Sequence, residues 1–244
     1  MREAMNQKKT RDSKRKIRKT QSHPSCDAGP AGLVFFTANP SPQLLAGNAS
    51  KPTMTSADVK SHPEYRHFAS IPWCSKLLAK FDNPSSVVQV SENRTILPTR
   101  ENSYVGGTLN TPETVAAWLV LYRRPLAPDW KVDELCSLLT FEEGLIGFPD
   151  TAHGGVVALV LDEVTGIHIV AQRPPGTPPN KDFRTAYLNT TFLRPVPAPG
   201  TVLVRSRIAR IEGRKNFVAA QIEDENGEVL AKAEVLYVSI RNKL

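Results

Sequence analysis

Hydrophobic positions recur with two different periods along this chain, and the change of period marks its organisation. In HPEYRHFASIPWCSKLLAKF (62–81), Tyr65, Phe68, Ile71, Trp73, Leu77 and Leu78 fall at mixed helical spacings. Pro72 splits that stretch into two short helices, because its ring blocks the preceding turn. Residues 82–108 are polar and read as a linker holding one short strand, Val87 to Val90. Beyond them, TVAAWLVLYRRP (114–125) and VDELCSLLTF (132–141) read as strands separated by a Pro-containing loop. The apolar segment from Gly154 to Val170 has the Val and Ile content of a strand but the length of a buried helix, and length decides for the helix. RPPGTPPNKD (173–182) is a loop. FRTAYLNTTFL, TVLVRSRIARIEG and NFVAAQIEDENGEVLAKAEVLYVSI then read as antiparallel strands, the last folded at an Asn226-Gly227 hairpin turn. This order makes an α+β domain with one helix against a curled sheet. The expected division is a disordered, basic and Pro/Ser-rich extension over 1–61, a helical appendage and linker over 62–108, and the main domain over 109–244.

Charge changes this picture in one place. A net charge of +7 on 244 residues suggests a nucleic-acid or membrane partner. Residues 1–20, however, hold nine Lys or Arg against Glu3 and Asp12, so the rest of the chain balances and nucleic-acid binding by the domain is not expected. The basic leader is open to three readings: a nuclear-import signal, a matrix presequence, or a solvated tail with no address. Its abundant Lys argues against the presequence. No stretch approaches the roughly 18 uninterrupted apolar residues of a membrane span, and the N-terminus lacks the apolar core of a secretory signal. An intracellular protein, cytoplasmic or mitochondrial, is therefore expected. Cys26, Cys74 and Cys136 are too few and too scattered for a disulfide framework or a zinc site. The sequons beginning at Asn48, Asn93 and Asn189 read as chance.

The chemistry concentrates where Gly147-Phe148-Pro149-Asp150-Thr151-Ala152-His153-Gly154-Gly155 runs into the long helix. Glycine inside a helix costs about 1 kcal/mol relative to alanine, so Gly154 and Gly155 want a use. Close approach of a ligand to the unpaired N–H groups at the positive end of the helix dipole is one, which makes an oxyanion or phosphate site. The plainer alternative is a helix capped by Asp150 or Thr151, with the glycines relieving crowding. Asp162, flanked by Val160, Leu161 and Val164, is costly unless it meets water, a partner or a substrate; a solvated Asp162-Glu163 pair is the alternative. From Gly155 to Asp162 the helix rises about 10.5 Å, so one carbonyl cannot touch both groups. If both act on one substrate they come from two antiparallel copies of the helix across a twofold axis, in a homodimer or a dimer of dimers with shared sites.

These residues resemble the hotdog-fold acyl-CoA thioesterases of the phenylacetate-degradation (PaaI-like) and mitochondrial thioesterase-superfamily type, filamentous-fungal members included. The resemblance rests on His153-Gly154-Gly155, Asp162, Gly166, Thr185 with Leu188-Asn189, Phe192-Leu193-Arg194-Pro195-Val196-Pro197 and Glu212-Gly213-Arg214-Lys215, in that order. It implies a curled antiparallel sheet wrapped around one long central helix. It also implies an acyl-CoA thioesterase that cleaves a fatty or aromatic thioester with no metal or organic cofactor. Asp162 would be the general base or nucleophile, and the N–H of Gly154 or Gly155 would polarise the thioester carbonyl. His153 would orient the loop or bond the substrate, and Thr185 would hold the attacking water. Thioester hydrolysis independently needs an activated water or carboxylate on one side of the carbonyl and donors on the other.

Coenzyme A brings phosphates, so Arg194, Arg214 and Lys215 are the expected cations near the dimer cleft. Each assignment has a plain alternative: a backbone-bonded helix-start histidine, an ordinary strand threonine, a solvated charge at a strand end. One departure stands out, since relatives usually carry glycine near Asp150; a carboxylate there would repel an acidic substrate or narrow the pocket. The Pro-rich loop at 173–180 would gate or shape the acyl tunnel. Two other functions stay open: release of an acyl or polyketide chain from a carrier protein, and a non-catalytic protein that binds acyl-CoA, or nucleic acid through its basic leader.

Overall fold

In the computed structural model the described residues are 56–125, 130–174 and 182–240. The extension expected over 1–61 lies outside them as far as residue 55, and so do residues 175–181 of the Pro-rich loop. Three short helices come first, α1 (Ser56–Ser61), α2 (Pro63–Ser70) and α3 (Pro72–Ala79). Pro63 and Pro72 stand in the first turns of α2 and α3, where the missing N–H is no loss. Strands β1 (Ser86–Val90), β2 (Val115–Arg123) and β3 (Glu134–Phe141) follow, then the small hairpin of β4 (Ile146–Phe148) and β5 (Thr151–Ala152). The long helix α4 (Gly154–Ala171) leads to β6 (Asp182–Phe192), β7 (Gly200–Glu212), β8 (Lys215–Glu223) and β9 (Val229–Ile240). The seven-stranded sheet has the order β1-β2-β3-β7-β8-β9-β6, antiparallel at every pairing.

The inner face of the sheet packs on α4 through Val157, Val160, Leu161, Val164 and Ile169. The outer face of β2 and β3 is covered as well, because Phe68, Cys74 and Leu78 of α2 and α3 meet Leu119, Leu121, Cys136 and Leu138. Burial on both faces is why β2 carries an unbroken apolar run and β3 is buried continuously, Ser137 and Thr140 included, where a half-buried strand would alternate. Strand β6, the far edge, is exposed from Arg184 to Tyr187. Residues 82–108, read as a linker, supply the opposite edge strand β1, and Val105 enters the main core beside Leu109. A central helix held in a curled antiparallel sheet is the hotdog fold that the resemblance implied.

Helix α4 is long and apolar enough to cross a membrane by length and composition alone, yet here its apolar residues line the sheet. Near its C-terminal end it is anchored by a buried polar network. His168 Nε2 donates to the Val132 carbonyl at 2.9 Å, and Nδ1 accepts from the Ser206 hydroxyl at 2.9 Å. Gln172 bonds both the N–H and the carbonyl of Val132, and Trp130 Nε1 donates to the Ala171 carbonyl. Burial pushes the His168 pKa below its usual value, so the ring is neutral.

Candidate active site

The start of α4 is capped by His153, the backbone-bonded helix-start histidine of the plainer reading, and not by Asp150 or Thr151. His153 is the N-cap, its Nδ1 accepting from the Gly155 N–H at 3.0 Å, which leaves the ring proton on Nε2. The β4–β5 hairpin closes directly onto it, since a side chain on Gly147 would begin 2.7 Å from the His153 Cα. Thr151 instead donates to the Pro149 carbonyl at 3.2 Å. Asp150 sits at φ 54°, the left-handed region where glycine is easiest and aspartate is tolerated. That conformation is a physical reason for relatives to carry glycine there.

The two glycines divide their tasks. A Cβ on Gly155 would lie 3.1 Å from His153 Nδ1, so Gly155 makes room for the folded-back ring, and its N–H is already used. The N–H of Gly154, in contrast, is exposed and has no partner among the described residues. Of the two donors proposed for a carbonyl oxygen, Gly154 is the one left available.

Asp162 stands on the flank of α4 that faces β6 and β9. Thr185 Oγ1 donates to its Oδ1 at 3.0 Å, and the Tyr237 hydroxyl reaches the same oxygen at 2.9 Å and the Asp162 carbonyl at 2.7 Å. Thr185 and Tyr237 are direct cross-strand partners, with a bulge between Thr185 and Tyr187 in β6. Burial, and next the negative charge of Asp162, push the Tyr237 phenol far above its usual pKa, so it keeps its proton and donates. Gly166 lies beside this hydroxyl, where a Cβ would make ordinary contact with it at 3.4 Å. With Thr185 donating to Oδ1 and the single Tyr237 proton shared between Oδ1 and the Asp162 carbonyl, the carboxylate is fixed in orientation, while Oδ2 has no partner among the described residues. The solvated-pair alternative does not describe this geometry, since Glu163 is bonded as well, by Asn93 Nδ2 at 2.5 Å.

Sequence reasoning brought Asp162 and Thr185 together but missed Tyr237. The signal was there: Val235, Tyr237 and Ser239 alternate onto the inner face, and a buried tyrosine hydroxyl needs a partner. The three cations fare differently. Arg194, just after β6, pairs with Glu228 at 2.6 Å, whereas Arg214 and Lys215 are exposed at the β7–β8 turn. These places lie at opposite ends of the sheet, separated along β8 by about 26 Å, so one chain does not gather them. Among the described residues no group of three or more His, Cys, Asp or Glu is arranged to hold a metal. Cys74 and Cys136 are buried free thiols whose pKa burial pushes up to about 12.

Comparison with known proteins places this geometry in context. The family model described as the thioesterase superfamily matches residues 150–231, which hold His153, Gly154, Asp162 and Thr185. The acyl-coenzyme A thioesterase THEM4 of Mus musculus is 32% identical over 97 residues, covering 39% of this chain and 39% of its own. The chain thus spans about two fifths of the length of that curated relative. Verlamelin biosynthesis protein B of a Lecanicillium species is 26% identical over 160 residues, covering 54% of this chain and 69% of its own. Among solved structures, a putative thioesterase from Ralstonia eutropha, described as a phenylacetic acid degradation-related protein, is 22% identical. That likeness covers 59% of this chain and 92% of the other, at a TM-score of 0.42. Residues 150–231 are thus similar to the thioesterase superfamily, and the antiparallel sheet and long helix described above surround them.

Proposed function

We propose that this protein is an acyl-CoA thioesterase acting on a fatty or aromatic acyl-CoA, as a homodimer in which each site takes Gly154 from one subunit and Asp162 from the other. The observation that carries the reading is the carboxylate itself, on the central helix: Oδ1 is held by Thr185 and Tyr237, and Oδ2 has no partner among the described residues. Oδ2 either takes a proton from the attacking water or adds to the thioester carbon, in which case water then opens the resulting anhydride. The carbonyl oxygen gains negative charge as the tetrahedral centre forms, and a helix-start N–H such as that of Gly154 is suited to receive it. The departing sulfur leaves as coenzyme A thiol after taking up a proton. The Thr185 proton is directed at Asp162, so Thr185 orients the carboxylate, and only its lone pairs remain for water.

The shared site follows from length along the helix: Gly154 and Asp162 are eight residues apart, about 12 Å, too far for one carbonyl. The exposed edge strand β6 supports association, because it offers a second chain a row of backbone donors and acceptors. Free-thiol release from short, medium, long and aromatic acyl-CoAs tests the chemistry and names the substrate class. Subunit mixing tests the sharing. Gly154→Pro removes one N–H at a helix position that tolerates proline. Mixed one to one with Asp162→Asn, it should restore about a quarter of wild-type activity from two inactive parents, since half the dimers then carry one intact site. No recovery after exchange would contradict the shared site. The second reading left open by the sequence is release of an acyl or polyketide chain from a carrier protein, for which the same residues would serve. Turnover of a carrier-bound thioester with none of any acyl-CoA would select it.

A further inference from the structure

Glu163 has no part in the chemistry above, yet it is half-buried beside Asp162 in the helix core. Successive helical residues point about 100° apart, so the two carboxylates face different flanks of α4. Asp162 turns to β6 and β9, whereas Glu163 turns to the 3-10 turn Glu92–Arg94 and accepts from Asn93 Nδ2 at 2.5 Å. That turn is itself held from several sides. Arg94 Nε pairs with Glu64 of α2 at 2.9 Å in a largely buried ion pair, and its Nη1 donates to the Val115 carbonyl at 2.8 Å. Asn110 Nδ2 donates to the Arg94 carbonyl at 3.2 Å, and a side chain on Gly106 would begin 3.1 Å from the Asn93 carbonyl oxygen. Glu64 also accepts the Trp118 N–H at 2.7 Å, tying the assembly to β2. Asn93 is thus a fixed point, not a solvated loop side chain.

We propose that Asn93 and Glu163 form a positioning clamp that sets the rotation of α4 and so aims Asp162 Oδ2, an inference that rests on the thioesterase reading. Gripped on both flanks by adjacent residues, the helix cannot turn either way without stretching one of the two sets of bonds. A composite site needs that restraint, because reaction rates fall steeply when reacting groups are displaced by an ångström. Burial and the charge of Asp162 both disfavour the Glu163 carboxylate, and the Asn93 amide opposes them, so the bond matters most to the group that is hardest to keep there. Asn93 lies outside residues 150–231, which makes a segment preceding the family domain part of the working site.

The test measures kcat and KM on the acyl-CoA best turned over by the wild type, with thermal melting of every variant. Asn93→Leu and Glu163→Leu should each lower kcat about tenfold with KM little changed, and the double variant should be no worse than either single one. Glu163→Gln keeps an acceptor for Asn93 and should recover at least about half of wild-type kcat. Asn93→Ala serves wherever the leucine variant fails to fold. Wild-type kcat in folded Asn93 and Glu163 variants, a loss confined to KM, or a Glu163→Gln no better than Glu163→Leu overturns the clamp alone. A wild type that hydrolyses no acyl-CoA or carrier-bound thioester overturns the reading beneath it.

Discussion

Two polar side chains sit six residues apart on the same apolar helix, and the fold treats them in opposite ways. His168 is fully buried with both ring nitrogens paired, to Ser206 and to Val132. Asp162 has one oxygen held by two hydroxyls and the other left open. A closed network of this kind rigidifies a core, because every donor and acceptor taken from water is repaid within the protein. An open one keeps a reactive atom aimed and unsatisfied, which is what a base or nucleophile requires. On the proposed reading, the same helix carries architecture at its C-terminal end and chemistry in its middle.

The sharpest way to break this contrast is to exchange the consequences. His168→Ala opens a cavity, orphans the Ser206 hydroxyl and leaves the Val132 carbonyl with Gln172 alone, so chemical unfolding should show a loss of about 2–4 kcal/mol. Activity per folded molecule should stay near wild type; a stable but inactive variant would place His168 in the chemistry. Tyr237→Phe removes one of the two donors on Asp162 Oδ1 and should lower turnover about tenfold, with a smaller effect on stability. Unchanged turnover would mean Thr185 alone orients the carboxylate. Thr185→Val should cost only about threefold, because Tyr237 still holds the same oxygen.

The smallest effect is on stability against pH. The folded His168 pKa lies below 6.5 and the unfolded value is near 6.5, so the unfolded chain binds the proton first. The contribution is fully present above pH 6.5 and is lost as pH falls from there toward the lowered folded value, at up to about 1.4 kcal/mol per pH unit. Urea midpoints of wild type and His168→Gln between pH 7.5 and 5 should converge toward acid. Parallel curves would show that His168 does not carry this dependence.

Much of this contrast was legible in the sequence, and the parts that were not share a cause. Helix α4 was readable because its length overrides its β-branched content, and β2 and β3 because burial on both faces leaves them largely apolar throughout. The distance from Gly155 to Asp162 followed from helical rise alone. Tyr237 was not found because its meeting with Asp162 depends on the register of β6 against β9, which spacing does not specify. The division of labour between Gly154 and Gly155 depends on one histidine ring folding back over the helix start. Asn93, 70 residues from Glu163, lay in a stretch whose polarity read as linker, although its neighbours Val105 and Leu109 are core. Arg194 and Arg214 looked like one cation set until strand lengths put them at opposite ends of the sheet.

In the proposed mechanism Asp162 performs the hydrolysis. The most direct measurement compares kcat of wild type and Asp162→Asn on the best acyl-CoA, with the melting transition of each recorded alongside. The open carboxylate oxygen predicts a loss of at least about a hundredfold in kcat with the transition nearly unmoved. A folded Asp162→Asn enzyme that turns over at the wild-type rate would contradict it.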